Sequence, residues 1–387
     1  MKKTTNKVLI VLLFLLASCS KQSSNQDYST SLFYQEYQDL IDNLNADFPG
    51  NGIDVFDNQL KDRPMAYGLL MSAEYNRYLH TRNTDAYLLV KKCGLWLMEN
   101  SDLNNNGIVG FGLPDQWDAF KDNSINEAHH EYTITTAIVV KGLLDWYDIE
   151  SNINKRAEIK ELVLSCLDPY LDNRYDSPIG IPAYSLSPED TIYDIYNPAA
   201  FLLGQLKRYS QITDDKDLKE KLNSKSNNII KVLEDNVQID SASNYFWAYG
   251  IQRQGPNDLV HACYVIEGIR DFQEYGGTTN LNFSSVHNHL FSFSNDSIFF
   301  EHYPKNLWQE ERVRLWSIGM LIYSLSVNHD FDEVEQNISS QLSKFYLWPG
   351  QYRFKIDDDR VMIRQHAHLI LGLSYFIYNN DRISNKN

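Results

Sequence analysis

The sequence predicts an all-α fold, an (α/α)6 toroid, on three observations: six apolar segments with helical spacing, a glycine inside each, and long loops leading from one unit to the next. The segments are AYGLLMSAEYNRYL, TAIVVKGLLDWY, AAFLLGQLKRY, CYVIEGIRDF, LWSIGMLIYSL and LILGLSYFIY. Their glycines are Gly68, Gly142, Gly204, Gly268, Gly319 and Gly372, at spacings of 74, 62, 64, 51 and 53 residues, which marks repeated units. A mid-helix glycine costs about 1 kcal/mol relative to alanine, so six of them point to close helix packing. Further helices are expected between them, at residues 85–100, 154–167, 216–235 and 332–345, with a weaker counterpart at 280–293. Links after the glycine-bearing helices are short, and those leading into the next are long, as at 104–128, 172–197, 240–257 and 347–360. An inner ring surrounded by an outer ring follows, with the long loops gathered at one end. An open α-solenoid of the same hairpins is the alternative.

Ahead of the repeats, residues 1–18 have the parts of an export signal: basic Lys2, Lys3 and Lys7, an apolar run over 8–16, then small residues. The run falls short of the roughly 20 apolar residues of a permanent membrane span. Leu16-Ala17-Ser18-Cys19 resembles the lipobox of bacterial lipoproteins, which implies cleavage before Cys19 and a membrane lipid on its sulfur. Ser20 after the cysteine resembles lipoproteins sorted to the outer membrane of the cell envelope. Residues 19–30 read as a polar tether, 31–380 as the toroid and 381–387 as a disordered tail. Loss of residues 1–18 takes the formal charge from −16 to −19, a balance that argues against a nucleic-acid partner. Cys93, Cys166 and Cys263 stand in apolar helical segments and read as buried thiols rather than a disulfide framework.

The long loops carry GFGLPDQWDAF, IGIPAYSL, YFWAYGIQRQGP, HYPKNLW and WPGQYRF. They bring aromatic faces to one end, where Trp117, Trp247 and Trp308 could stack on sugar rings. Counting back from the glycines aligns the helix entrances. Asn197, His261 and Arg312 stand seven residues before theirs, and Glu131, Tyr193, Asn257 and Trp308 stand eleven before. Both steps keep to one helical stripe, so polar groups of different repeats should converge on a cavity mouth. Five of ten histidines, His129, His130, His261, His366 and His368, fall at these entrances. Asp102, Asn104 and Asn106, followed by Gly107, match the opening of an EF-hand-like loop and could hold a structural calcium ion, although Leu113 stands where the closing glutamate belongs. No other cofactor is implied.

With these repeats and entrances, residues 31–380 resemble the six-hairpin carbohydrate-active enzymes: glycosidases of unsaturated oligosaccharides, toroidal polysaccharide lyases and sugar epimerases. The resemblance is architectural and implies an oligo- or polysaccharide partner without assigning catalytic residues. The residues themselves leave two mechanisms open. Hydrolysis by paired carboxylates would use Asp194 and Asp258, each ten residues before its glycine, with Glu131 as a third acid. Elimination at a uronate would use Asn257 or Arg314 to neutralise the carboxylate, His261 or His130 as base and Tyr264 or Tyr196 as acid. Asn197, Arg253, Arg364 and His366 complete the expected binding set. A non-catalytic, membrane-tethered glycan-binding or polysaccharide-assembly protein is the alternative.

Overall fold

A computed structural model describes residues 28–250, 257–295, 298–303, 313–328, 331–333 and 335–379. Among these residues are twelve α-helices. In chain order they are α1 (Tyr34–Asp42), α2 (Pro64–Thr81), α3 (Thr84–Glu99), α4 (Thr133–Ile149), α5 (Ile153–Leu167), α6 (Tyr196–Ile212), α7 (Lys216–Asp235), α8 (Leu259–Glu274), α9 (Phe283–Asn288), α10 (Leu315–Val327), α11 (Glu335–Leu342) and α12 (Ile363–Tyr378). The even-numbered helices carry the six glycines and form the inner ring. They are apolar nearly all round and correspondingly buried: every residue of α4 from Thr133 to Trp146 is inaccessible to solvent or close to it. The outer helices bury a single stripe, as α7 does with Leu222, Ser226, Ile229, Ile230 and Leu233.

Each inner helix packs on the next in sequence, and α12 packs back on α2, which closes the ring and excludes the open solenoid. Closure rests on backbone contact. The glycines meet in three pairs, Gly68 with Gly142, Gly204 with Gly268, and Gly319 with Gly372. A methyl group on Gly268 would stand 1.8 Å from the Ala200 carbonyl oxygen, and one on Gly319 would stand 2.5 Å from the His368 backbone. No side chain fits either seam.

The sixth outer helix was not among those expected. It is α1, which precedes all the repeats and packs on α12, so the first and last segments of the chain complete one hairpin together. Only Tyr37 and Leu40 of its nine residues are fully buried, which leaves little apolar signal. The expected tether also ends earlier than Thr30: Tyr28–Thr30 form a 3-10 turn, and Tyr28 sets its ring edge-on to Tyr378. Cys93, Cys166 and Cys263 are buried free thiols, as expected.

Two different devices finish the inner helices. In their C-terminal halves, buried polar groups run round the ring: Ser72 to Asp145 (2.6 Å), Arg208 to Asp145 (2.6 Å), Gln205 to Asp271 (3.1 Å), Arg270 to Tyr323 (2.7 Å), an edge contact of Tyr323 on Tyr375, and Asn76 to the Ser374 carbonyl (3.1 Å). Lys141 of α4 reaches across the lumen to Asp271 of α8 at 3.0 Å. At their N-terminal ends, backbone carbonyls take the first N–H, and only α8 adds a side-chain cap among the described residues. The first N–H of α4, α6, α8, α10 and α12 goes to the carbonyl of Tyr184, Tyr249, Glu301, Phe354 and Ile53 respectively, each in the loop before the next inner helix. The exception is α2, which begins with Pro64 and has no N–H to give.

Two predictions follow from the ring. Gly268→Ala should cost about 3 kcal/mol or more in denaturant unfolding, since overpacking into backbone has no flexible neighbour to yield. A loss within about 0.5 kcal/mol would mean that α6 and α8 are not in backbone contact. For the belt, burial pushes the Asp271 carboxyl up, but Lys141 and Arg270 outweigh it and hold it at about 2. A depressed folded-state value stabilises the fold above the unfolded value of about 3.9, and that stabilisation is lost as pH falls towards 2. The Tm gap between wild type and Asp271→Asn should therefore be widest above about pH 5 and shrink on acidification. A gap independent of pH would contradict the assignment.

Candidate active site

The long loops gather at the N-terminal ends of the inner helices, and the groups with acid–base chemistry cluster there. Asp258 precedes α8 and caps it, accepting from the His261 N–H at 3.0 Å. The same carboxylate lies 2.7 Å from His261 Nδ1, out of line for a directed hydrogen bond, so this contact is electrostatic. Its other oxygen accepts from Arg314 Nη2 at 2.8 Å. Burial pushes Asp258 up, but His261 and Arg314 prevail and hold it well below the usual carboxylate range. Arg314 also donates to Glu301, from Nε at 2.5 Å and from its backbone N–H at 2.8 Å. The side chains of His261 and Arg314 stay 20 % and 21 % exposed, so this ion cluster faces the mouth rather than the core.

One turn along α8, Tyr264 lies with its ring 5.9 Å from that of His261. Its hydroxyl is 2.6 Å from His368 Nε2, and His368 Nδ1 is 2.6 Å from the Arg364 carbonyl. A carbonyl can only accept, so Nδ1 carries the proton and Nε2 accepts from Tyr264. Burial drives His368 down to about 3, which keeps the ring neutral and this polarity fixed. Arg364 is itself clamped by Asp54, with Nη2 to Oδ1 at 2.7 Å and Nε to Oδ2. Between the two arginines lies Trp316, with Arg314 4.5 Å and Arg364 5.6 Å from its ring centre. Partly exposed aromatics continue the rim: Phe56 edge-on to Trp117 at 4.9 Å, Tyr184 against Phe120 and Tyr132, and Tyr249 against His261 at 5.2 Å.

The neighbouring repeats supply a second polar group. Glu131 is buried and accepts from the amides of Asn104 (2.8 Å) and Asn106 (3.2 Å), with His130 Nδ1 3.7 Å away. Burial holds His130 below its ordinary value. Asp190, absent from the expected set, is buried, accepts from Ser185 (2.5 Å) and Asn126 (2.8 Å), and is raised by that burial. Asn197 is 2 % exposed, and neither atom of its amide has a hydrogen-bond partner. Tyr196 is buried, and burial raises its hydroxyl to about 12.

Several expected residues do other work. Asp194 is buried and accepts from the Ile179 N–H at 3.2 Å, and Asp258 is engaged with His261 and Arg314, so the two acids are not displayed as a pair. Trp247 is not a sugar platform: it is 3 % exposed and its Nε1 donates to the Leu233 carbonyl of α7 at 2.9 Å. His366 is not at the mouth surface either. It is buried, held at about 4 by that burial, and its Nε2 meets the Tyr352 backbone, pinning the Tyr346–Tyr352 hairpin to α12. Asn257 is buried and caps the Asp258 N–H.

In the loop expected to bind calcium, the Asp102 carboxylate accepts from the N–H groups of Asn106 and Gly107, and Asn106 Oδ1 accepts from the Ile108 N–H. Its oxygens thus face its own backbone and its amides face Glu131. Among the described residues no cluster of three His, Cys, Asp or Glu side chains could hold a metal ion. Arg253, Trp308 and Cys19 lie outside the described residues. Sequence reasoning missed Asp54, Tyr184, Asp190, Glu301 and Trp316; Tyr184 had a signal as the aromatic of the IGIPAYSL loop, and Trp316 as an aromatic at the start of a glycine-bearing helix.

No protein-family model matches the chain, and no curated protein matches it in sequence. Solved structures do. Cellobiose 2-epimerase from Bacillus thermoamylovorans is 10% identical, with 88% of this chain and 95% of that one covered at a TM-score of 0.58. An unsaturated glucuronyl hydrolase from Bacillus sp. GL1, responsible for glycosaminoglycan degradation, is 12% identical over 88% and 94% at 0.59. An unsaturated glucuronyl hydrolase specific for heparin is 9% identical over 88% and 94% at 0.58. At these identities the likeness is one of fold: this chain shares the (α/α)6 toroid of those carbohydrate enzymes.

Proposed function

We propose that this protein is a lipid-anchored, glycan-processing enzyme of the bacterial cell envelope, in which His261 transfers a proton at the toroid mouth. The observation that carries the reading is the Asp258–His261 contact at 2.7 Å, on a histidine that remains open to the mouth. A carboxylate beside an imidazole offsets the positive charge the ring would gain on taking a proton, which is the support a general base needs. The aromatic rim suits sugar rings, and the names of the structural neighbours, which concern glucuronyl and cellobiose units, support a carbohydrate ligand. Anchoring through Cys19 is supported by the lipobox-like sequence.

Between the two mechanisms, the contacts favour elimination at a uronate over hydrolysis by Asp194 and Asp258, because both carboxylates are engaged elsewhere. His261 would take the proton beside the uronate carboxylate, with Arg314 next to it offsetting the charge. Tyr264 commits its proton to His368 and, like Tyr196, is only 3 % exposed, so the proton that His261 has taken is the one returned to the departing oxygen.

The test is to incubate the protein with a panel of neutral and uronate polysaccharides while following new reducing ends and the ultraviolet absorbance of unsaturated uronates. Both signals should rise together, and His261→Ala should lower kcat by roughly 10²- to 10⁴-fold without loss of fold. Reducing ends without absorbance would transfer the chemistry to carboxylates. Affinity without products would make this a binding protein.

A further inference from the structure

A groove of about 440 Å³ opens on the rim beside the mouth, lined in part by Lys61, Asp62, Trp96, Asn100, Pro114 and His129. Its volume falls within the range of roughly 300–1,000 Å³ typical of ligand clefts. The chain path places it at the mouth end: Trp96 and Asn100 finish α3, Lys61 and Asp62 lead into α2, and Pro114 and His129 belong to the loop before α4. Trp96 stacks one face on buried Tyr67, 4.2 Å away and 3° from parallel, and stays partly exposed, which makes it a fixed flat platform. His129 is held at φ 66°, a conformation disfavoured for a residue with a side chain, and its Nδ1 is buried without a partner. Strain and an unmet polar atom on one side chain mark a position kept for something other than packing.

The charges nearby are already matched. Lys61 pairs with Asp57 at 2.7 Å and with Asp115, and Asp62 accepts from the Tyr67 hydroxyl at 2.5 Å. No unmatched cation among the described lining residues would attract a carboxylate. A neutral sugar ring fits instead, with its CH face on Trp96 and its hydroxyls on His129 and Asn100 Oδ1, whose Nδ2 already donates to the Trp96 carbonyl. His129 immediately precedes His130 of the mouth, so a glycan leaving the mouth across this loop meets the groove next. We propose that the groove is a second carbohydrate site, holding a neutral sugar unit of the same chain whose reacting unit occupies the mouth. That this unit belongs to the chain in the mouth rests on the glycan reading of the mouth; the site itself does not.

The test is tryptophan-fluorescence titration of the whole protein with cellohexaose, mannohexaose and xylohexaose. Wild type should bind at least one of them. The double variant Asn100→Ala/His129→Gly, whose glycine accepts the positive φ, should bind it at least ten-fold more weakly with an unchanged circular-dichroism spectrum. Trp96→Phe, which keeps a ring on Tyr67, should fall between. Binding of none of the three, or equal binding by the double variant, overturns the proposal. Absence of turnover with rim binding intact would instead defeat the reading of the mouth.

Discussion

Backbone contact between neighbouring inner helices is the constraint on which the remaining structure depends. Six helices can close a ring only if the seams are narrow, and the three glycine pairs allow carbonyls and α-carbons to touch where a side chain would hold the helices apart. Narrow seams also leave a narrow lumen. Polar side chains that face it find partners beside them, as Gln205 does on neighbouring α8, and across the ring, as Lys141 does on α8 from α4. The belt they form is fully enclosed, so removing one partner strands a buried charge, a loss of about 3–5 kcal/mol that well exceeds the net worth of the pair. The belt thus fixes which helices face one another, while the apolar seams supply most of the stabilisation.

At the opposite end the helices are held by loops. Each loop lends a carbonyl to the first N–H of the inner helix before it, so the position of one entrance is set by the loop of the next repeat. Side-chain caps are therefore free for other duties. Outer helices α3, α5, α7 and α9 are capped by Asn83, Asn152, Asp215 and Asn282, whereas Asp258 is the one inner-helix cap among the described residues and uses the same carboxylate to hold His261 and Arg314. A residue that both ends a helix and orients a histidine couples the scaffold directly to the chemistry.

How much of this could be read in the sequence divides along the same line. The ring was legible because its cause is local and repeated: a glycine at a regular spacing in an apolar helix. Helix α1 was not, because its short stripe of Tyr37 and Leu40 has meaning only once α12 is beside it. Counting back from the glycines put Asn197 and His261 at matching helix entrances, since helical register is a local property. It could not supply Asp54 for Arg364 or Glu301 for Arg314, because those partners come from loops whose path is set by other repeats. The same blindness misassigned Trp247 and His366. An aromatic ring or an imidazole in a rim loop looks alike in sequence whether it faces a ligand or a neighbouring helix, and only the hydrogen bonds to Leu233 and Tyr352 decide.

At the mouth the charges are largely matched within the protein itself. Arg364 has Asp54, and Arg314 has both Asp258 and Glu301, so the two guanidiniums that bracket Trp316 are matched before any ligand arrives. His368 is kept neutral by burial and locked between a carbonyl and the Tyr264 hydroxyl. Each of these groups would need to break a buried bond to change its protonation state. His261 alone among them is held by a contact that leaves its ring edge open, beside a carboxylate that burial has failed to neutralise. The network therefore leaves His261 as the partly exposed ring among matched charges, with Asp258 and Arg314 fixed beside it.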